Sequence, residues 1–492
     1  MSKDENTIGN TGFSKRSILI IISLLFIITF RFIPGPAGLS QSAMQVLGIF
    51  LGVLLLWLTI SIDWPSLLCL AALAFVPEIK FNTMLAGSIG GSTFSFLLFT
   101  FLCTYAISQT SFIRRCAVGF ITSRIAKKGP WWFLISYCAS VLIIGLIMSP
   151  TVLFVIYLPI LDEICQVLKL KKEDKLANAL VMGQTISCAL SSGMTPIAHV
   201  FSIMAIGFYE VATGQTISYA SYMGFAIPVG LIAFVIMIII FKIFLKPDMS
   251  KFESINVDSL KEDIKPMEKR EKIILTVFFL VIALWVLPGF MKSATPRLSS
   301  YIDSFGTAFP PLLGAVALLI ITVEGKPLLD FKEAMSKGVS WASLIMTAST
   351  LALGSAMTNG DIGLTDWLTN NIAPMIANLS PIILVLIFTL WAALQTNLSS
   401  NMVTITVVCA VAIPLCIASG GAISTPAVAS IVGMMGAYAF ATPPAHPNVA
   451  LASASGWTTT GQMMKYGLAM MFVSVGITVV IGYPLAVILM GY

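Results

Sequence analysis

Charged side chains are scarce in this chain of 492 residues. Only 10% of the residues are Asp, Glu, Lys or Arg, whereas 57% are hydrophobic and the mean hydropathy is +0.95. A soluble domain carries about 25% charged residues, because its surface must face water. The composition therefore excludes a water-soluble protein and predicts an all-α integral membrane protein with many spans.

Residues and motifs of enzyme chemistry are also scarce. The chain has two histidines, His199 and His446, and no GxSxG, HExxH or Walker sequence. None of its cysteines forms a CxxC pair, which disfavours zinc and structural disulfides. We therefore expect no enzymatic activity and no covalent cofactor. The eight cysteines, which we interpret as buried small hydrophobes, are Cys69, Cys103, Cys116, Cys138, Cys165, Cys188, Cys409 and Cys416.

Long apolar runs are abundant, and a helix needs about 20 mostly apolar residues to span a bilayer. The first run ends at Arg31 without the small-residue cleavage site of a signal peptide, so it predicts a first span. We expect a multi-pass protein of a prokaryotic plasma membrane, with a cytoplasmic N-terminus. The candidate spans are Ser17–Phe30, Ala43–Ile60, Trp131–Met148 continuing to Ile164, Ala177–Ser191, Met223–Phe244, Ile273–Leu287, Pro310–Ile321, Ile382–Ala393, Val403–Ile417 and Tyr466–Met490.

Two short motifs occur twice in the same order. Thr195-Pro196-Ile197-Ala198-His199 and Thr442-Pro443-Pro444-Ala445-His446 are near copies, 247 positions apart. Each follows an apolar stretch broken by small polar residues, at Ser149-Pro150-Thr151 and at Ser400-Asn401-Met402. Secondary transporters build their substrate site from such a doubled fold, where two interrupted helices meet.

The repeat divides the chain into a first repeat at 1–240, a polar connector at 241–272 and a second repeat at 273–492. Each repeat holds a stretch rich in small and hydroxyl residues, Ser88–Thr110 and Ser340–Gly360, which we interpret as re-entrant hairpins. The broken helices are predicted at 149–151 and 400–402. The basic connector is predicted to be cytoplasmic.

Loop charge predicts that the repeats are inverted. The segment after the first hairpin carries five basic residues, whereas its counterpart, Asp361 to Ala377, has two acidic residues and no basic one. Basic loops face the cytoplasm, so the two segments are expected on opposite sides. The formal net charge of +6 thus reports topology and not nucleic-acid binding. The group Lys169, Lys171, Lys172 and Lys175 does not fit, since it follows the first broken helix, where this scheme expects the outside.

A helix that stops within the membrane leaves backbone N–H groups unpaired at one end and carbonyls unpaired at the other. The N-terminal end holds an anion without Lys or Arg, and the freed carbonyls can hold a cation. Ser, Thr and Asn side chains at both breaks add donors. The two histidines could serve as substrate donors or as proton-linked groups, although buried histidines are often only structural.

At these residues the chain resembles the divalent-anion/sodium symporter family, which carries dicarboxylates, citrate or sulfate. The family has a Ser-Asn-Thr signature at each break and a Thr-Pro turn on the next helix. The resemblance implies a homodimer of inverted repeats, with a scaffold part and a transport part. It implies substrate contacts at Ser149, Thr151, Thr195, Ser400, Asn401, Thr442 and Pro443.

The signatures depart from the family pattern at two positions, since Pro150 replaces the first Asn and Met402 replaces the second Thr. The resemblance implies a second sodium site at Thr396, Ser399, Asn401 and Ala441. The first sodium site would use Gly145, Ser149, Pro150 and Met194. A family serine is Gly145 here, so this site is predicted to have lost two side-chain ligands.

These observations together predict a secondary active transporter of small di- or tricarboxylates in the lipid bilayer, with an elevator-like motion. We expect weak Na⁺ coupling or exchange. The alternatives are a carrier of sulfate or another inorganic oxyanion, a proton-linked carrier that uses His199 and His446, and an anion channel.

Overall fold

The computed structural model describes residues 14–36, 38–172, 174–197, 199–250, 266–291, 294–371, 374 and 379–491. The middle of the predicted connector and Ala198 of the first Thr-Pro motif lie outside these residues. The described residues are mostly helical, as the sequence predicts. The helices of the first half are α1 (Lys15–Thr29), α2 (Gln41–Thr59), α3 (Trp64–Leu73), α4 (Phe81–Ser88), α5 (Ser92–Ser108), α6 (Phe112–Ile121), α7 (Pro130–Gly145), α8 (Pro150–Val167), α9 (Lys175–Met194), α10 (Val200–Thr213) and α11 (Tyr219–Ile240).

The second half is also helical, apart from one short antiparallel strand pair, β1 (Thr322–Val323) and β2 (Lys326–Pro327). Its helices are α12 (Lys269–Met291), α13 (Pro296–Asp303), α14 (Phe309–Ile320), α15 (Phe331–Glu333), α16 (Trp341–Thr358), α17 (Leu364–Asn371), α18 (Pro381–Leu398), α19 (Asn401–Ala418), α20 (Thr425–Ala437), α21 (Pro447–Ala454), α22 (Thr460–Ile477) and α23 (Tyr483–Met490).

Six helical segments of the described chain are long and apolar enough to cross a bilayer. Two helix pairs are bent, by 41° between α4 and α5 and by 68° before α16. The bends come at the start of the two stretches predicted as re-entrant hairpins, and α5 and α16 continue as helices after them. The hairpin interpretation stays a prediction. The hydroxyls do not break these helices because they bond back to the preceding turn, as Thr104 does to the Thr100 carbonyl and Thr347 to the Ser343 carbonyl.

The chain reverses direction at the break between α7 and α8. The Tyr157 hydroxyl donates to Ser140 Oγ at 2.9 Å, and the rings of Tyr137 and Tyr157 lie 5.9 Å apart. In one straight helix, Ser140 and Tyr157 would be separated by about 25 Å. Helix α8 therefore folds back along α7, and the break at 146–149 forms the tip of a helical hairpin. The continuous span predicted from Trp131 to Ile164 is instead two antiparallel helices.

This reversal explains the basic group that did not fit the charge pattern. Arg114 Nη2 lies 3.1 Å from Glu163 Oε1, so the end of α8 returns to the end of the molecule that carries α6. Lys169 and its basic neighbours follow directly after α8 and share that end. Arg115 Nη1 also contacts Glu271 Oε1 at 2.7 Å, which places the start of α12 there too. The basic segments on these elements thus lie on one side of the molecule.

Cysteine accessibility tests this arrangement in a background that lacks the eight native cysteines. A cysteine next to Arg124 and one next to Lys171 should both react with a membrane-impermeant maleimide from the cytoplasm only. A cysteine next to Asp366 should react from the outside only. Reaction of the Lys171 neighbour from outside would contradict the hairpin, and reaction of the Arg124 and Asp366 neighbours from one side would contradict the inverted topology.

Candidate functional site

The two breaks are held by equivalent hydrogen bonds. Thr195 Oγ1 donates to the Leu146 carbonyl at 2.6 Å, and Thr442 Oγ1 donates to the Asn397 carbonyl at 2.5 Å. Leu146 and Asn397 are 251 positions apart, the same offset as Ser149 and Ser400. Each Thr-Pro turn therefore fixes the end of the helix before the neighbouring break, and the sequence repeat is also a repeat of contacts.

Four helix N-termini converge on one cavity of about 460 Å³. The N-cap residues of α8, α10, α19 and α21 are Ser149, His199, Ser400 and His446, and all four line it. Thr151 and Asn401, in the first turns of α8 and α19, line it as well. The backbone N–H groups in the first turn of a helix lack intrahelical partners. The cavity therefore collects hydrogen-bond donors from both halves.

Among the residues that the structure describes, the lining of this cavity contains no Asp, Glu, Lys or Arg. Each helix N-terminus carries a partial positive charge of about half an elementary charge, so the ends of four helices give the cavity a positive potential. Two side-chain atoms of the lining, Asn401 Nδ2 and His199 Nδ1, are buried without a hydrogen-bond partner among the described residues. An unpaired buried donor is costly unless a ligand satisfies it. The arrangement fits an anion with several acceptor oxygens.

The two histidines meet at the cavity, with ring centroids 6.5 Å apart. His446 Nδ1 accepts a hydrogen bond from the Asn448 backbone N–H at 3.2 Å, so in the neutral imidazole the proton is on Nε2. His199 stacks on Phe201 at 3.9 Å between ring centroids. His446 is thus built as a neutral N–H donor, because its other nitrogen is occupied as an acceptor.

Residues 14–491 match the family model described as the sodium:sulfate symporter transmembrane region. The chain belongs to this family. It is the divalent-anion/sodium symporter family that the sequence resembles. The family and the bacterial relatives make this chain a multi-pass membrane protein of the plasma membrane.

Curated relatives and a solved structure agree with this assignment. The sodium-dependent dicarboxylate transporter SdcS of Staphylococcus saprophyticus is 27% identical over 425 residues, covering 83% of this chain and 79% of that protein. SdcS of Staphylococcus aureus (strain bovine RF122 / ET3-1) is 24% identical over 490 residues, covering 96% and 91%. The crystal structure of the Alcanivorax borkumensis YdaH transporter, described as having an unusual topology, gives a TM-score of 0.57 at 11% identity. The match covers 92% of this chain and 99% of the YdaH chain, and at this identity it shows only that the folds are similar.

Some residues predicted for the symporter site do not line the cavity. Thr195 and Thr442 lie behind it, where their hydroxyls hold the breaks, and Pro443 follows Thr442. Of the residues predicted for the second sodium site, Asn401 lines the cavity, whereas Thr396, Ser399 and Ala441 do not. Thr396 Oγ1 donates to the Gly436 carbonyl at 2.6 Å, and Ser399 Oγ donates to the Gln395 carbonyl at 3.1 Å.

The structure adds lining residues that sequence reasoning missed. Thr100 and Thr104 on α5, with Ser340 and Ser343 at the start of α16, line the cavity. Thr100 Oγ1 is buried without a partner among the described residues. These residues belong to the two hydroxyl-rich stretches, Ser88–Thr110 and Ser340–Gly360. Their composition was the signal, but it did not reveal that one face of each helix borders the site.

Ser400→Ala should weaken substrate binding by roughly ten- to hundredfold, since a hydrogen bond to a charged partner contributes about 1.5–3 kcal/mol. Equilibrium binding to the purified protein measures this effect. Ser419→Ala is the matched control, because Ser419 ends the same helix and donates to the Cys416 carbonyl far from the cavity. An unchanged affinity in Ser400→Ala would mean that the break at α19 does not contact substrate.

Proposed function

We propose that this protein is a secondary active transporter of small dicarboxylates, with Na⁺ as co-substrate, and that it is not an enzyme. The observation that carries the proposal is the convergence of four helix N-termini on a cavity whose described lining has no charged side chain. Such ends bind carboxylates through backbone N–H groups. The SdcS relatives, which are named as sodium-dependent dicarboxylate transporters, support the same substrate class.

The distribution of donors favours two carboxylates over a single compact anion. Ser149, Thr151 and His199 come from the first half, whereas Ser400, Asn401 and His446 come from the second. Each half thus offers one set of donors, and an extended dianion can satisfy both sets. Sulfate presents its oxygens around one atom and would engage the donors of one half only. It is therefore the less favoured, alternative substrate.

We assign the transport cycle to an elevator-like motion of inverted repeats within a homodimer. In this proposal the transport part contains the hairpin of α7 and α8, whose tip lies at the cavity. It also contains the two Thr-Pro breaks. Helices α5 and α16 border the cavity from the scaffold. We also propose a cytoplasmic N-terminus, since basic segments face the cytoplasm and Lys15 and Arg16 precede the first span. A channel would conduct without alternating access, so counterflow of substrate separates the two mechanisms.

His446 acts in this proposal as a donor to substrate and not as a proton carrier. Its Nδ1 already accepts the Asn448 N–H, and the first turn of α21 follows directly. A proton added at Nδ1 would face that N–H group and the positive end of the helix. A proton-linked cycle would have to pass through this arrangement, whereas donation from Nε2 needs no change.

Uptake of labelled succinate into proteoliposomes, with and without Na⁺, tests the function. Unlabelled malate and fumarate should compete, internal succinate should stimulate uptake, and sulfate and acetate should compete poorly. If sulfate competes as strongly as succinate, the result would favour an inorganic oxyanion as the substrate. Uptake that does not saturate and shows no counterflow would indicate a channel.

Substitutions of His446 test the donor role. Gln places an amide N–H near the position of Nε2, whereas Asn places its polar atoms near Nδ1 only. His446→Gln should therefore retain more succinate affinity than His446→Asn, and uptake without a pH gradient should change little between about pH 6 and 8. A steep proton dependence of uptake that both variants abolish would favour the proton-linked alternative.

A further inference from the structure

The first predicted sodium site lacks side-chain oxygens at Gly145 and Pro150. In the structure, the side chain of Ser191 occupies the space beside Gly145. A Cβ atom built on Gly145 would lie 2.1 Å from Ser191 Oγ and 2.7 Å from Ser191 Cβ. The hydroxyl of Ser191 thus fills the volume that a serine side chain at position 145 would need. Ser191 is fully buried on α9 and donates to the Cys188 carbonyl at 2.9 Å. Its oxygen lone pairs remain free to accept a ligand.

A second polar side chain reaches the other missing position, Pro150. Asn448 Nδ2 donates to the Pro150 carbonyl at 3.2 Å, across 298 positions of sequence. Asn448 is only 2% exposed, and its Oδ1 has no hydrogen-bond partner among the described residues. A buried amide oxygen without a partner is rare in native structures and indicates an unfilled contact. The amide that position 150 lacks is therefore supplied from α21.

The surroundings of these two oxygens suit a cation. Helix α7 ends at Gly145 and α9 ends at Met194, and Thr195 Oγ1 joins the two ends through the Leu146 carbonyl. C-terminal helix ends carry free carbonyls and partial negative charge. Helix α21 packs against α8 and α9, and the bond from Asn448 to the Pro150 carbonyl places this side chain directly after the break that follows α7. Carbonyl, hydroxyl and amide oxygens are the ligands that hard cations prefer, and transporters hold Na⁺ at such ends.

We propose that Ser191 and Asn448 supply the side-chain oxygens of a sodium site in the first half, together with Ser149 and backbone carbonyls at the ends of α7 and α9. The proposal rests on the proposed function, in which Na⁺ is co-substrate. It replaces the expectation that this site has lost its ligands. The family's signature lies at the start of α8, whereas Ser191 lies on α9 and Asn448 on α21.

The second half differs in a way that supports this assignment. Its counterpart of Leu146 is Asn397, whose Nδ2 donates to the Ala393 and Tyr438 carbonyls at 2.9 Å each. Asn397 Oδ1 accepts from the backbone N–H groups of Phe440 and Ala441. All hydrogen-bonding groups of this amide are thus paired within the protein. The amide oxygen of Asn448 is unpaired at the break of the first half, although Asn448 itself belongs to the second repeat. Coupling should therefore depend more on the site at this break than the sequence suggests.

The test measures the Na⁺ concentration that gives half-maximal succinate uptake, beside the affinity for succinate at saturating Na⁺. Ser191→Ala and Asn448→Leu should each raise the half-maximal Na⁺ concentration by roughly tenfold or more, while succinate affinity at saturating Na⁺ changes much less. Ser192→Ala is the matched control, since Ser192 is the next residue, is equally buried and makes the same bond to its own helix. Asn448→Asp retains the oxygen and adds charge, so it should restore or increase Na⁺ affinity relative to Asn448→Leu.

A hydroxyl exchange separates ligand loss from structural damage. Gly145→Ser alone should impair the protein, because its Cβ collides with Ser191 Oγ. Gly145→Ser with Ser191→Gly moves the hydroxyl from one helix to the other and should recover Na⁺ dependence above that of Ser191→Ala. If wild-type protein does not transport dicarboxylates, the proposed function fails. If it transports them without Na⁺ dependence, Na⁺ is not a co-substrate and the sodium site is overturned with it, while the dicarboxylate assignment stands. If Ser191→Ala and Asn448→Leu leave an existing Na⁺ dependence unchanged, the sodium site alone is overturned.

Discussion

A backbone polar group in the hydrocarbon region must find a partner, and this constraint organises the whole molecule. Irregular backbone at membrane depth is stable only when protein or a polar cavity surrounds it. The breaks near Ser149 and Ser400 and the two Thr-Pro turns meet this requirement together. The N-termini of four helices open onto one cavity, and the C-terminal ends before the breaks are joined by Thr195 and Thr442.

The helix breaks create two chemical environments, because N-terminal helix ends face the cavity and C-terminal helix ends lie behind it. The cavity side is rich in N–H donors and attracts anions, whereas the side behind it is rich in carbonyls and attracts cations. Ser149 caps α8 at the boundary between the two. Binding of a cation behind a break can therefore stiffen the turn whose N–H groups hold the anion. Coupling in this account is a property of the shared breaks and needs no direct contact between the two ions.

The sequence predicts the membrane class, the doubled organisation and the polar residues at the four helix N-termini of the cavity, because the Thr-Pro motifs and the polar breaks before them recur at nearly constant offsets. It does not predict the reversal at 146–149, since apolar composition carries no information about the direction of the next helix. The contact between Tyr157 and Ser140 decides that point. Nor does the sequence predict that α5 and α16 border the cavity, because a hydroxyl-rich composition does not show which face of a helix its side chains occupy. Ser191 and Asn448 lie far in sequence from the positions that they complete, so neither could be recognised from a motif.

The central claim is that helix N-termini, and not charged side chains, hold both carboxylates of the substrate. Calorimetric titration of the purified protein with succinate, succinamate and succinamide tests it directly, because each successive ligand replaces one carboxylate by a neutral amide of similar size. The account predicts that affinity falls at both replacements, by roughly tenfold or more each time. Binding of succinamide as tight as that of succinate would contradict it.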